Sequence, residues 1–290
     1  MRPVHLPRDL GELWAALENE PEAALYAGGT DLLVKLRQGI VPAPALICLE
    51  RIEDLKRIED RPNEVVLGAG ATHAQLLDHP AVRRHCPVLV KALSVLGSPP
   101  IRHMGTIGGN LVTASPAGDS LPPLYVLKAE VEVRSRERTR RTPVSEFIQG
   151  PGQVDLRPGE IVAAVHVPKP DRFNLHHFEK VGRRAALAIA VASLAAILAV
   201  SDQGEVQEAR LAWGSVGPTV IVSPAAEEAL INGPLTPERL EAAADLAREA
   251  VRPIDDLRAT AAYRRQVSGN LVRRLADPIQ FSPAGADPGR

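Results

Sequence analysis

Cysteine is nearly missing from this sequence, and that alone removes one class of chemistry. Cys48 and Cys86 lie far apart and outside any ligand-spaced motif, so they cannot supply the four thiolates an iron–sulfur cluster usually needs. They predict reduced thiols in a cytoplasmic setting. A strong charge of one sign is missing too. The formal net charge of −1 excludes the basic surface expected of a nucleic-acid binder. Only six of the 34 basic residues are lysines, which reads as compositional bias rather than chemistry. Met1-Arg2-Pro3-Val4-His5 has no apolar core of signal-peptide type. The longest apolar run, Ala185 to Val200, is half alanine and short for a bilayer, so no membrane span is expected. The nucleophile elbow Gly-x-Ser-x-Gly, the zinc motif His-Glu-x-x-His and the Walker pattern are absent as well. The eight histidines are scattered, and His176-His177 on a strand would face opposite ways rather than share a metal.

What is present is glycine, in short stretches. The densest is Met104-Gly105-Thr106-Ile107-Gly108-Gly109-Asn110-Leu111-Val112-Thr113-Ala114-Ser115-Pro116-Ala117-Gly118-Asp119-Ser120. Glycine lets backbone amides approach a ligand closely, and consecutive exposed amides make a concave anion site. Thr106, Thr113 and Ser115 add hydroxyl donors, and the Asp119 carboxylate can accept from a sugar or polyol hydroxyl. The stretch reads as a dinucleotide-binding loop without the Rossmann spacing. The competing reading is a plain turn, since Gly-Gly and Gly-Asn are common turn pairs. A second loop, Gly28-Gly29-Thr30-Asp31, sits between an expected strand, Ala23–Ala27, and a helical pattern at Leu32, Leu33 and Leu36 ending near Gly39. There, backbone donors and the helix dipole point the same way. Two such loops on one chain point to a long ligand. A third stretch, Gly68-Ala69-Gly70-Ala71-Thr72, reads as a strand-to-helix turn with Thr72 as N-cap.

With 290 residues, 45% hydrophobic, the chain has ample material for a core. Asp9–Asn19 carries apolar residues at helical spacing. Ala45–Leu49, Glu64–Leu67 and Ile161–Val167 read as strands, His73–Asp78 as a helix, and Val82–Leu96 as helix interrupted near Pro87. Prolines 122 and 123 fit the first turn of a helix through Leu127. Val131–Arg134 and Arg138–Pro143 read as a hairpin whose arginines are solvated beside nearby acids. Pro168-Lys169-Pro170-Asp171 marks the expected domain boundary. Beyond it, Ala185–Val200 with Val206–Gly214 reads as a long hairpin. Its alanines also permit a helix. Two amphipathic helices, Pro237–Val251 and Ala259–Leu275, follow, and Asp277–Arg290 is expected to fray.

Four groups of residues give the chain a resemblance. They are Ala27-Gly28-Gly29-Thr30-Asp31-Leu32; Ile101-Arg102-His103-Met104-Gly105-Thr106-Ile107-Gly108-Gly109-Asn110; Ala114-Ser115-Pro116-Ala117-Gly118-Asp119; and Phe178-Glu179-Lys180-Val181-Gly182-Arg183-Arg184 with Pro253-Ile254-Asp255-Asp256-Leu257-Arg258-Ala259 and Tyr263-Arg264-Arg265. In this order they resemble the flavin-binding medium subunit of the molybdenum hydroxylases. That family includes bacterial xanthine dehydrogenase, carbon monoxide dehydrogenase and 4-hydroxybenzoyl-CoA reductase.

The resemblance implies an α+β fold: a two-lobed FAD-binding domain of the vanillyl-alcohol-oxidase (PCMH) type, residues 1–170 with lobes of about 1–55 and 56–170. A small C-terminal α+β domain with an antiparallel sheet, 171–280, and a tail, 281–290, would follow. It implies non-covalent FAD held by Ala27, Gly28, Gly29, Thr30, Asp31 and Leu32, by Thr106, Ile107, Gly108, Gly109 and Asn110, and by Asp119 through a hydroxyl. Leu96 and Val162 would make apolar contacts to the rings, and Lys180 would stand near the isoalloxazine. A cation there stabilises reduced flavin, which tends to be anionic at N1. Molybdopterin and [2Fe-2S] clusters would sit on large and small partner subunits, with NAD⁺, oxygen or a quinone as acceptor. Two departures stand out: His103 replaces a frequent asparagine, and the cysteine-bearing insert of the reductase branch is missing. Gly150-Pro151-Gly152 leans towards subunits of xanthine-dehydrogenase type. The competing class is a self-contained flavoprotein oxidase or dehydrogenase, which would need its own base over the flavin.

Overall fold

A computed structural model describes residues 2–184 and 187–276 of the chain. The expected frayed end, Asp277–Arg290, lies outside the described residues.

Three sheets organise these residues. The first is parallel, with β1 (Val4–His5) and β2 (Ala24–Tyr26) on either side of β3 (Leu46–Cys48). Its crossovers are α1 (Leu10–Asn19), capped by the Asp9 carboxylate accepting from Glu12 N, and α2 (Leu32–Arg37). Leu13, Ile47 and Ile52 are fully buried here and pack with Ile161 and Ala163 of the next sheet, which fixes the two layers against each other.

The second sheet is antiparallel, in the order β4 (Ile58–Asp60), β5 (Glu64–Gly68), β10 (Ile161–Pro168), β6 (Glu130–Arg134), β7 (Thr139–Pro143). Between β5 and β6 run six short helices: α3 (His73–Asp78), α4 (Pro80–His85), α5 (Pro87–Ser94), α6 (Pro99–Met104), α7 (Ile107–Thr113) and α8 (Leu121–Val126). Proline at the first turn of α4, α5, α6 and α8 explains both where each starts and why none is long. Val82–Leu96 is accordingly broken at Pro87. Thr72 caps α3 in a reciprocal pair, with Gln75 N donating to its Oγ1 and Thr72 N donating to Gln75 Oε1. A one-turn helix, α9 (Val144–Phe147), and a small hairpin of β8 (Ile148–Gly150) and β9 (Gln153–Val154) lead into β10. In the β6–β7 hairpin Arg136, Arg138 and Arg141 are exposed, whereas Arg140 is half-buried and pairs with Asp155 and Glu160.

In the centre of this sheet His166, 2% exposed, lies between Glu64 (3.1 Å) and Glu132 (3.0 Å). Burial pushes both carboxylates up, but the His166 hydrogen bonds and neighbouring arginines outweigh it and hold both below the ordinary glutamate value of 4.5. Their contribution to stability is therefore present above pH 4.5 and lost as pH falls through the lowered values. Replacing His166 with alanine leaves two half-buried carboxylates facing a void. A loss of about 3 kcal/mol is expected in urea unfolding at pH 7.

The third sheet is antiparallel: β11 (Leu175–Gly182), β12 (Ala190–Val200), β13 (Glu205–Gly214) and β14 (Ile221–Val222), with β15 (Gly233–Pro234) beside the start of β13. α10 (Pro224–Leu230), α11 (Pro237–Ala250) and α12 (Ala261–Arg273) cover one face. The alanine-rich run is thus a strand from residue 190; Ala185 and Ala186 lie outside the described residues. Ala192, Leu194, Ala196 and Leu198 pack on the helices behind. Ala195, Ile197 and Ala199 pack the other way, into the core of the α3–α8 region. Both faces are buried, so small residues on both sides are what the layer spacing requires.

Candidate functional site

β2 ends at Tyr26, and the chain turns through Gly29 at φ +68° into α2. None of the Gly28, Gly29, Thr30 and Asp31 amides donates to another described group. Four uncommitted amides before a helix leave a cradle of donors open to an anion. Gly28 is required for a separate reason. A Cβ there would lie 1.6 Å from the Met104 carbonyl oxygen, so the first glycine stretch packs directly on the second.

The second stretch is not the open loop its glycines predict. Gly108, Gly109 and Asn110 form the first turn of α7, with Thr106 as N-cap accepting from Gly109 N at 3.1 Å. Ile107 N and Gly108 N are already committed, donating to Ala71 O and Ala69 O. The Gly68–Thr72 stretch therefore does more than start α3: it runs beside Gly105–Gly108, with a bridge between Thr72 and Thr106. Gly108 lets this pairing close, since a Cβ there would meet Ala69 Cβ at 2.6 Å. The Thr113 hydroxyl donates to Gly109 O and is 3.3 Å from Asp31 Oδ2, joining the two glycine stretches. Ser115 stays local, accepting from Ala117 N.

At the other end stands Lys180 on β11. Its ammonium donates to Asp119 Oδ2 at 2.7 Å and to Val95 O at 2.8 Å, with both charged side chains only 8% exposed. Burial pushes the Asp119 carboxyl up to about 6 against the opposing pull of Lys180. Its second oxygen, Oδ1, is buried with no partner. A buried acceptor left open is costly unless a ligand donor fills it. Next to Asp119, the Ser120 hydroxyl donates to Asn110 Oδ1, tying this end to α7.

The site residues expected from sequence are therefore mostly brought together, but in different capacities. Gly28 to Asp31 offer amides, Gly109 and Asn110 lie at the accessible start of α7, and Asp119 and Lys180 form the buried pair. Ala27 and Leu32 flank the cradle, both half-buried. The Ile107 side chain is fully buried in the core, and Leu96 and Val162 are buried members of the same cluster. His103 turns elsewhere, lining a cleft of about 510 Å³ with Lys56, Gln75 and His79. Sequence reasoning missed Val95, Ile101 and Met104, apolar side chains left exposed around Gly97 and the Met104–Gly105 peptide. Ile101 and Met104 stand in a stretch that carries the family resemblance, which assigns them no contact, and Val95 has no signal beyond an apolar residue ahead of a loop rich in glycine and proline.

Free amides after β2, together with exposed apolar side chains, a buried cation and an open carboxylate oxygen around Asp119, are the groups that a dinucleotide carrying a flat ring system and a polyol would use. Residues 1–170 match the family described as the FAD binding domain in molybdopterin dehydrogenase, and residues 176–279 match the CO dehydrogenase flavoprotein C-terminal domain. Fold and matches define the class: an FAD-binding oxidoreductase with the α+β architecture of the PCMH type. Within that class, the chain belongs to the family of FAD-binding subunits of the molybdopterin dehydrogenases.

Among its relatives, the nicotinate dehydrogenase FAD-subunit of Eubacterium barkeri is 32% identical over 87% of this chain and 86% of that protein. The xanthine dehydrogenase FAD-binding subunit of Escherichia coli O157:H7 is 30% identical over 97% of each. In solved structures, a chain of carbon monoxide dehydrogenase from Hydrogenophaga pseudoflava, in a form lacking the Mo-pyranopterin moiety of its molybdenum cofactor, superposes with a TM-score of 0.88. It is 29% identical and covers 94% of this chain and 95% of its own. Among the described residues no helix is long and apolar enough to cross a membrane, and no three or more His, Cys, Asp or Glu side chains are grouped to hold a metal ion.

Proposed function

We propose that this chain is the electron-transferring subunit of a cytoplasmic multi-subunit molybdenum hydroxylase. In this reading, substrate is oxidised at a molybdopterin centre on a large partner subunit. Electrons arrive through [2Fe-2S] clusters of a small partner and leave to NAD⁺, oxygen or a quinone. Residues 1–170 act as the FAD-binding domain and 171–280 as the C-terminal domain that brings Lys180 to it. FAD supplies the electron exchange when bound. The chain's own residues bind and orient it: the Gly28–Asp31 amides hold the pyrophosphate, and Asp119 Oδ1 accepts a hydroxyl. Lys180 is fixed by Val95 and Asp119 beside the ring system, with Val95, Ile101 and Met104 as its apolar shelf. The observation that carries this reading is the Lys180–Asp119 pair, in which a strand of the third sheet joins residues that follow strands of the first and second.

The test is a fluorescence titration of the purified chain with FAD and, separately, with FMN. FAD is expected to saturate the chain while FMN at the same concentrations leaves it unchanged, because FMN lacks the pyrophosphate and adenosine. Equal binding of both would overturn the assignment of the Gly28–Asp31 cradle. Iron and molybdenum analysis of the complex purified from its native source tests the subunit role.

A further inference from the structure

The loop before α12 displays an apolar side chain to solvent and is built rigidly to do so. Leu257 is 96% exposed, Ile254 is 71% exposed, and Tyr263 on the first turn of α12 is 52% exposed. Flexible tips also expose leucines, but this one is clamped. The Asp256 carboxylate accepts from Arg258 N, Ala259 N and the Arg258 and Arg264 guanidinium groups. Asp255 accepts from Ala261 N, and buried Arg264 donates on to Val191 O and Ser215 O. Such a scaffold spends many hydrogen bonds on a side chain that returns nothing to this chain's core, which marks a prepared contact.

The position and charge of this knob say what it meets. The Arg183 guanidinium donates to Leu257 O at 3.0 Å, and Arg183 follows directly on β11, three residues beyond Lys180. The knob thus sits just beyond the end of the strand that carries Lys180. Among the described residues flanking it along the chain, Arg183, Arg252, Arg258 and Arg265 are exposed, against Glu249, Asp255 and Asp256, with Arg258 paired to Asp256, so the rim keeps a basic excess on a chain whose net charge is −1. A second copy would set this basic rim against itself. An acidic rim around an apolar pocket is complementary.

We propose that Ile254, Leu257 and Tyr263 are the docking knob for the electron-donating partner subunit, a protein with an apolar pocket ringed by Asp and Glu. This rests on the subunit role given above. The experiment is hydroxyl-radical footprinting of the FAD-loaded chain alone and of the native complex, together with Leu257→Asp. In the complex, oxidation of Leu257 and Tyr263 is expected to fall sharply. Leu257→Asp is expected to weaken assembly about thirty-fold, as for a hot-spot residue. The FAD affinity of the isolated variant should be unchanged, since Leu257 lies outside the seat. A complex containing iron and molybdenum in which both residues stay as reactive as in the free chain overturns the docking assignment alone. A chain that binds FAD but is isolated from its source without iron or molybdenum overturns the subunit role and this inference together. Protection that appears when the free chain is concentrated assigns the face to a second copy, and also overturns it.

Discussion

Gly28→Ala is expected to cost about 3 kcal/mol or more of folding stability and to abolish FAD binding. The added methyl would sit 1.6 Å from the Met104 carbonyl oxygen and 2.3 Å from its carbon, deep inside van der Waals contact. That peptide cannot step aside. Gly105 N donates to Ile101 O at 2.7 Å, and Gly105 O accepts from His73 N at 3.0 Å, so moving it disturbs both α6 and the start of α3. Relief must come from the Gly28–Asp31 segment, which would carry its four free amides out of register. Gly109→Ala is the informative contrast. Its Cβ would meet only Thr106 Oγ1, at 3.0 Å, on an exposed position of α7. Stability within about 1 kcal/mol of the parent is expected there, since alanine favours a helix interior. FAD affinity should fall about tenfold, because the methyl stands where the ligand approaches. Thermal unfolding and FAD titration on both variants check the pair. A Gly28→Ala protein as stable as the parent would show that the two glycine stretches do not pack as described.

That contrast also explains what could be read from the sequence. Gly28-Gly29-Thr30-Asp31 between an apolar strand and a helical pattern was legible because each local signal pointed the same way. Gly108-Gly109-Asn110 was not, because glycine there serves packing against Ala69 rather than a turn, and the cap that starts α7 is Thr106. A glycine needed for a neighbour's approach looks the same in sequence as one needed for positive φ. The strand of alanines was ambiguous for a related reason. Residues 190–199 are buried on both faces, and alternation of polar with apolar residues, the usual strand signal, never arises. Lys180 lay beyond local reasoning altogether. Its partners are 61 and 85 residues away, and without the family resemblance it reads as a surface lysine beside Glu179. Only the packing of β12 between two cores brings β11 to α5 and makes the pair possible.

FAD affinity is expected to fall as pH drops below about 6, by about tenfold per pH unit once Asp119 is protonated. The direction follows from two features of the carboxylate. Its folded value, about 6, lies above the ordinary 3.8 because burial outweighs Lys180. Without ligand the folded chain therefore holds a proton that the unfolded chain has released between these values. This group's contribution to stability is present at low pH and lost as pH rises through 6. A ligand hydroxyl donated to Oδ1 reverses the balance, because it favours the ionised form and fills the one acceptor the fold leaves open. FAD binding near pH 6 should then release a proton. Calorimetric titrations in two buffers of different ionisation enthalpy measure that release directly. Asp119→Asn should bind FAD more weakly at pH 7 and show no step near pH 6, since an amide keeps an acceptor but cannot titrate. Should affinity instead rise as the solution is acidified, the carboxyl would be donating to the ligand, and Asp119 would be a proton source beside the ring system rather than an acceptor for a polyol.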